Sequence, residues 1–307
     1  MARKNKGRPV HGWLVLDKPL NMTSTSAVAR TKRLLSAQKA GHAGTLDPLA
    51  TGILPLAFGE ATKTVSYAMD GEKAYQFTVR WGGETETDDT EGEITQQSDK
   101  RPTREAIEAC LENFRGTIEQ VPPRYSAIKL DGNRAYDLAR DGEKVELDAR
   151  EVEIKQLELR EIVDDSTAVF SATCGKGTYV RALARDFGRE LGCFGHVIAL
   201  RRTKVGPFDE STAWSMEQLE REAEGLETGA EASQLLLPVQ ATLADLPHFS
   251  LTTTDASRLA RGQGVLLRGR DAPIVEGAAY ATCKGRLVAI VEMARGELRP
   301  TRVFNLV

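Results

Sequence analysis

The chain has 307 residues, 41% of them hydrophobic and 28% charged, enough to bury a full core as one large domain or two unequal ones. Its apolar runs are far too short to cross a bilayer, and the basic start (Arg3, Lys4, Lys6) leads into no apolar leader, so a cytosolic protein with no membrane partner is expected. The net charge of −3 is segregated: residues 1–42 carry +8, residues 84–93 carry −6 and residues 217–231 carry −5, which leaves a basic face for phosphate while both acidic runs read as solvated surface.

In chain order, Gly12–Asp17 reads as a strand and Thr23–Ser36 as a helix capped by Ser24 or Ser26. Between that helix and an apolar run at Ile53–Phe58 lies the most informative stretch, Gly41-His42-Ala43-Gly44-Thr45-Leu46-Asp47-Pro48-Leu49-Ala50-Thr51-Gly52. Pro48 fixes its own backbone and holds the residue before it extended, so Asp47 sits on a short rigid loop from which a carboxylate can approach a substrate closely. Taken alone, the same Gly, Asp and Pro make an ordinary turn. Glu60–Met69 reads as helical, Ala74–Trp81 as an alternating strand and Arg104–Phe114 as a helix capped by Thr103.

Val121–Lys129 is extended, Asp131-Gly132 a turn and Arg134–Arg140 a short helix. Val152–Glu161 and Ser166–Cys174 read as strands around the Asp164-Asp165 turn. Tyr179, Leu183, Phe187 and Leu191 recur at four-residue spacing in a helix over Thr178–Leu191, and Val197–Thr203 follows as a strand. Helices and strands mixed without a regular βα period imply an α+β domain around a mixed, largely antiparallel sheet with flanking helices. Residues 215–237 form an acidic, helix-rich connector. Beyond Pro247, a helix at Asp255–Arg261 and strands at Val265–Leu267, Ala278–Cys283, Leu287–Val291 and Thr301–Asn305 suggest a small β-barrel-like module. The expected domains are therefore 1–246 and 247–307.

Cys110, Cys174, Cys193 and Cys283 form no CxxC pair, and His11, His42, His196 and His248 are equally scattered. No HExxH, Walker A, GxGxxG or GxSxG motif is present. Chemistry with neither metal, nucleotide cofactor nor serine nucleophile is expected.

The Gly41–Gly52 stretch resembles the catalytic loop of the pseudouridine synthases that modify the T loop of tRNA. Four further segments resemble the same family, in its order along the chain. They are Leu16-Asp17-Lys18-Pro19 with Thr23-Ser24, Lys73-Ala74-Tyr75, Cys174-Gly175-Lys176-Gly177-Thr178-Tyr179-Val180-Arg181, and Leu200-Arg201-Arg202-Thr203-Lys204-Val205-Gly206-Pro207-Phe208. Asn21 stands where the family usually has glycine, and asparagine tolerates the left-handed backbone that glycine would adopt there. Residues 122–150 resemble an insertion that grips the T arm. The tail resembles the small RNA-binding (PUA-like) domain shared by pseudouridine synthases and archaeosine transglycosylases.

The resemblance implies isomerisation of the T-loop uridine, position 55 of tRNA; a monomer with no obligate protein partner is the default expectation. Moving the base from its N1 bond to a C5 bond gains and loses no atom, so no cofactor is required. The ribose carbon develops positive character as the base departs, as in glycoside cleavage. One carboxylate can stabilise that centre, attack it or remove a neighbouring proton. On this reading Asp47 is the catalytic carboxylate and Arg181 the cation that keeps it ionised against desolvation. Tyr75 stacks on the base and helps to move the C5 proton, and Tyr179 and Leu200 line the pocket. Lys18 belongs to the substrate-binding motif, and His42 fills the space left when the uridine is everted. Arg258, Arg261, Arg268 and Arg270 contact phosphates. Two other readings share these motifs: a guide-RNA-dependent pseudouridine synthase, and a non-catalytic tRNA-binding or folding protein on the same fold.

Overall fold

The computed structural model describes residues 7–126, 128–130, 133–134, 147–267 and 276–306. Strand β1 (Gly12–Lys18), helix α1 (Ser24–Leu34), β2 (Ala40–His42) and β3 (Ala50–Phe58) come first. β1 and β3 pair antiparallel, and nearly every side chain on both is buried, which is what their unbroken apolar runs require. Then follow α2 (Val65–Asp70), β4 (Lys73–Trp81), β5 (Gly83–Thr85), β6 (Ile94–Gln97), α3 (Arg104–Leu111) and β7 (Gly116–Gln120). A two-stranded pair, β8 (Lys129–Leu130) with β9 (Asn133–Arg134), precedes the long hairpin of β10 (Arg150–Asp164) and β11 (Thr167–Cys174). Next come α4 (Val180–Glu190), β12 (Gly195–Val205), β13 (Phe208–Asp209), α5 (Met216–Ala223) and α6 (Gly229–Gln234).

The main sheet runs β1-β3-β12-β4-β11-β10-β7, with β2 added to β3 and β13 to β12. Only the β3–β12 pairing in it is parallel. Helices α3 and α4 cover one face, where Phe77 stacks on Phe170 at 5.4 Å and Phe170 meets Phe187 at 5.7 Å. Leu183, Phe187 and Leu191 form the buried stripe of α4 that their four-residue spacing implies. Helices α1, α5 and α6 pack against β1 and β3 in a second core around Leu14, Leu54, Leu56 and Leu219.

The C-terminal sheet comprises β14 (His248–Ser250), β15 (Val265–Leu266), β16 (Gly277–Cys283), β17 (Arg286–Ala294) and β18 (Glu297–Val303), with α7 (Thr253–Ala260) against it. Its order is β14-β16-β17-β18-β15, and it curls into a half-barrel with its own core around Leu259, Val291 and Leu298. A third core joins it to the main body, where Leu287, Ile290 and Phe304 meet Trp13, Phe208 and Leu243. Among the described residues no helix is long and apolar enough to cross a membrane.

The α+β reading with a largely antiparallel sheet holds. The structure corrects several details. Thr23, not Ser24 or Ser26, caps α1, because its side chain accepts from the Ser26 N–H at 3.0 Å. Glu60–Met69 splits into a 3-10 turn, Gly59–Lys63, and the short α2. The short strands β2, β7 and β14 lack a periodicity long enough to read. Residues 84–93 are solvated only in part: Glu86, Glu91 and Glu93 are exposed, but Glu84, Asp88 and Asp89 are buried, because three arginines of α4 pair with them. Lys18 carries none of the basic N-terminal face, since it is fully buried. Arg3, Lys4, Lys6, the Asp131-Gly132 turn, most of the Arg134–Arg140 helix, Arg268 and Arg270 lie outside the described residues.

Candidate active site

Strand β12 assembles the site. It lies between β3, with Leu200 opposite Ala50 and Arg202 opposite Gly52, and β4, with Leu200 opposite Phe77 and Arg202 opposite Tyr75. The loop before β3 is thereby brought beside Tyr75. Gly52 permits the close approach: its φ is +98°, and a Cβ there would lie 2.2 Å from the Arg202 carbonyl oxygen. Helix α4 then points its first turn at the same place, after the turn at Gly177, whose φ is +85°.

The loop carrying Asp47 is held from several sides. The Ser24 hydroxyl donates to the Leu46 carbonyl at 3.0 Å and accepts from the Leu46 N–H at 2.8 Å. Asp47 is not helical, and its carbonyl accepts from the Ala50 N–H across the Pro48-Leu49 turn at 3.1 Å. The Asn21 N–H donates to the Pro48 carbonyl at 2.9 Å, with Asn21 at φ +62°. Asparagine therefore replaces glycine here without loss of the left-handed turn. Arg202, 2% exposed, donates from Nε to Ile53 at 2.8 Å and from Nη2 to Gly44 at 3.1 Å. Burial pulls its pKa down, and the neighbouring Tyr75 and Asp47 oppose that shift.

Lys18 lies beneath the loop, not on the cleft wall. Its ammonium donates to the carbonyls of Met22 at 2.8 Å, Pro19 at 3.0 Å and Pro48 at 3.4 Å. Burial lowers its pKa to about 8, while Asp47 acts in the opposite direction. The geometry gives Lys18 a supporting place under Asp47-Pro48, in contrast to the expected contact with substrate. His42, at the end of β2 opposite Leu56, also lies off the cleft wall.

The cleft has a volume of about 580 Å³, within the range of small-ligand sites. Asp47, Tyr75, Tyr179, Arg181 and Leu200 all line it, together with Lys73, Ser126 and Arg202. Arg181 Nε lies 2.9 Å from Asp47 Oδ2; the arginine side chain is 7% exposed and the carboxylate 39%. A buried cation thus meets a carboxylate that still faces the cleft. The other nitrogens of Arg181 are also engaged. Nη1 donates to the Thr87 carbonyl at 2.8 Å and lies 3.4 Å from Asp89 Oδ2, and Nη2 donates to the Tyr125 carbonyl at 2.8 Å. A guanidinium fixed at every nitrogen is a preorganised electrostatic partner.

Burial pushes the Tyr75 phenol above its ordinary pKa, with Arg202 opposing, so the ring is a neutral aromatic wall at neutral pH. Tyr179 caps α4, its N–H donating to Gln120 Oε1 at 2.8 Å and its carbonyl accepting from Gln120 Nε2 at 3.2 Å. Asp89, Arg202, Lys73 and Ser126 were not singled out from the sequence. For Asp89 a signal exists: Arg181, Arg185 and Arg189 recur every four residues on α4 and find Asp89, Asp88 and Glu84 in one acidic run. Among the described residues no cluster of three or more His, Cys, Asp or Glu is gathered that could hold a metal ion.

Two family models match the chain. Residues 32–180 match the TruB family pseudouridylate synthase N-terminal domain, and residues 181–244 match the tRNA pseudouridylate synthase B C-terminal domain. A protein of Rhodopseudomonas palustris named tRNA pseudouridine synthase B is 61% identical over 99% of this chain and 83% of its own length. A protein of the same name from Rhizobium etli is 56% identical over 98% of each. Among solved structures, a chain of an H/ACA ribonucleoprotein bound to a substrate RNA containing 2'-deoxyuridine superposes with a TM-score of 0.73 at 23% identity, covering 99% of this chain and 92% of that one. A chain of a Cbf5-Nop10-Gar1 complex gives 0.73 at 24% identity, covering 99% and 90%. At that identity these two bear on the fold alone. The near-full-length identity to the bacterial proteins decides the kinship: the chain belongs to the TruB family of pseudouridylate synthases.

Proposed function

We propose that this chain converts the T-loop uridine of tRNA, position 55, to pseudouridine, with the target base everted into the cleft and the Asp47 carboxylate acting on the nucleoside. The observation that carries the reading is the Asp47–Arg181 contact at 2.9 Å on the wall of a cleft lined by Tyr75, Tyr179 and Leu200. Arg181 holds Asp47 ionised and orients it as positive character develops at the ribose carbon. Tyr75 and Leu200 take the flat faces of the base, so new stacking offsets the few kcal/mol lost when the uridine leaves its stack. The relatives' name, tRNA pseudouridine synthase B, supports tRNA as the substrate. Because the reaction gains and loses no atom, the chain needs no cofactor, and it works as a monomer in the cytoplasm without an obligate protein partner.

The domain reading is catalytic domain 1–246, with the T-arm-gripping insertion at about 122–150, and RNA-binding domain 247–307. The separate core of the C-terminal sheet supports the second boundary. Arg258 and Arg261 are exposed there, in keeping with phosphate contact. His42 enters the space left by the everted base.

Incubation of the purified chain alone with unmodified tRNA, followed by mass spectrometry of fragments, tests this. Pseudouridine is expected at the T-loop uridine, with near-complete loss in Asp47→Ala and tRNA binding retained. Conversion that requires an added guide RNA would instead support the guide-dependent reading. Equal yield from Asp47→Ala would remove the carboxylate from its role.

A further inference from the structure

The polar side chains on the cleft wall are mostly committed to the protein. Lys73 donates to the carbonyls of Met69 and Gly71, Arg202 to those of Ile53 and Gly44, and Thr178 to that of Gly175. Ser126 differs. It lines the cleft, it is 4% exposed, and its Oγ is shut off from solvent with no hydrogen-bond partner among the described residues. Burial raises the pKa of the neighbouring Tyr179 phenol and Ser126 pulls it back, yet the two hydroxyls complete no bond of good geometry. A sealed hydroxyl without a partner is costly, and native structures rarely keep one without a use.

The backbone leading into Ser126 is fixed. Arg181 Nη2 holds the Tyr125 carbonyl at 2.8 Å, and Arg185 Nη2 holds the Val121 carbonyl at 2.7 Å. The Tyr125 phenol donates to Glu86 Oε1 at 3.0 Å. The catalytic guanidinium therefore sets the place of Ser126 through one peptide unit. A serine side chain reaches a second staggered rotamer by turning one torsion, which swings Oγ from the wall into the space beside it.

We propose that Ser126 is a base-reading residue: once a uridine enters the cleft, its hydroxyl turns inward and donates to a carbonyl of the uracil ring. The inference rests on the proposed function above. Uracil suits a fixed donor through both halves of the reaction. Rotation of the detached ring by half a turn about its N3–C6 axis exchanges N1 with C5, and by the same symmetry O2 with O4. A donor that meets O2 before the rotation meets O4 after it, so one hydroxyl holds the ring in either orientation without moving.

Single-turnover conversion of a T-arm RNA tests this with three targets: uridine, 2-thiouridine and 4-thiouridine. Sulfur is a weak acceptor, so each thio target slows the unaltered protein by about three- to tenfold, the range set by one hydrogen bond. Ser126→Ala slows uridine conversion by a similar factor, and the thio targets slow that variant no further. Ser126→Thr, which keeps the hydroxyl, retains most of the rate. Thermal unfolding of Ser126→Ala is unchanged or slightly raised, because the hydroxyl has no partner to lose. Ser126→Ala converting uridine at the unaltered rate, or suffering the same thio penalty as the unaltered protein, would overturn the proposal. Failure of the unaltered protein to convert the uridine RNA at all would remove the parent reading, and this one with it.

Discussion

The chain has two acidic runs of similar charge and opposite fate. In residues 217–231 most glutamates stay exposed on and around α5 and α6, and the pair of Glu220 with Arg30 is 41% and 48% exposed. In residues 84–93 three of the six acids, Glu84, Asp88 and Asp89, go inside, while Glu86, Glu91 and Glu93 stay exposed. Arg181 meets Asp89, Arg185 meets Asp88 at 3.1 Å, and Arg189 grips Glu84 through two bonds of 2.7 Å. The difference lies in the partner, not in the run. Helix α4 places an arginine on one line every four residues, and such a ladder can satisfy buried carboxylates that isolated lysines could not. Its upper rung is the residue that touches Asp47. The ladder thus fixes the site, while the second run keeps the surface hydrated.

The largest expected effect comes from removing the middle rung. Arg185→Met leaves Asp88 buried without its cation and frees the Val121 carbonyl, so unfolding free energy should fall by about 3–5 kcal/mol in chemical denaturation. An unchanged midpoint would mean that the ladder contributes nothing to stability. The next effect is in pH. Burial raises the Asp88 pKa from 3.8 to about 6, against the pull of Arg185 and Arg181. Between those values the folded protein holds a proton that the unfolded chain has lost, so this group's contribution to stability falls as pH rises from 3.8 to about 6 and levels off above. Asp88→Asn abolishes that contribution to the slope, a difference of about 3 kcal/mol between acid and neutral pH, read by comparing denaturation curves of the two proteins.

A smaller effect is expected from the upper rung. Asp89→Asn keeps the acceptor for the Glu91 N–H but removes one of two carboxylates facing Arg181. The guanidinium loses part of its fixed orientation toward Asp47, and kcat should fall about tenfold with KM little changed, which steady-state kinetics on tRNA would resolve. The smallest effect belongs to the solvated run: Glu224→Gln and Glu227→Gln, both exposed, should each shift stability by less than about 0.5 kcal/mol. A larger change there would erase the contrast between the two segments.

Much of this arrangement was legible in advance where the signal was local. Pro48 restricts Asp47, Thr103 caps α3, and the four-residue spacing in α4 names its buried stripe. The readings that failed depended on distant partners. Asp88 and Asp89 look like surface because Arg80 is the one basic residue within ten positions, and the arginines that bury them lie about ninety residues away. Lys18 counts toward the basic N-terminal face until three carbonyls from two loops converge on it. Ser126 carries no motif of its own, because an empty bonding position is a property of its surroundings.

The amino-acid order alone determined which residues could do the chemistry: a carboxylate held off the helix by proline, glycines at turns no other residue could take, and the apolar periods of strands and helices. These are short-range consequences of dihedral sterics and side-chain period. Tertiary structure alone decided which charges meet. The parallel insertion of β12 beside β3 brings Arg202 under the loop, and the docking of α4 brings Arg181 to 2.9 Å from Asp47. Electrostatic pairing depends on distance and burial, and both are set only when segments far apart in the chain pack together.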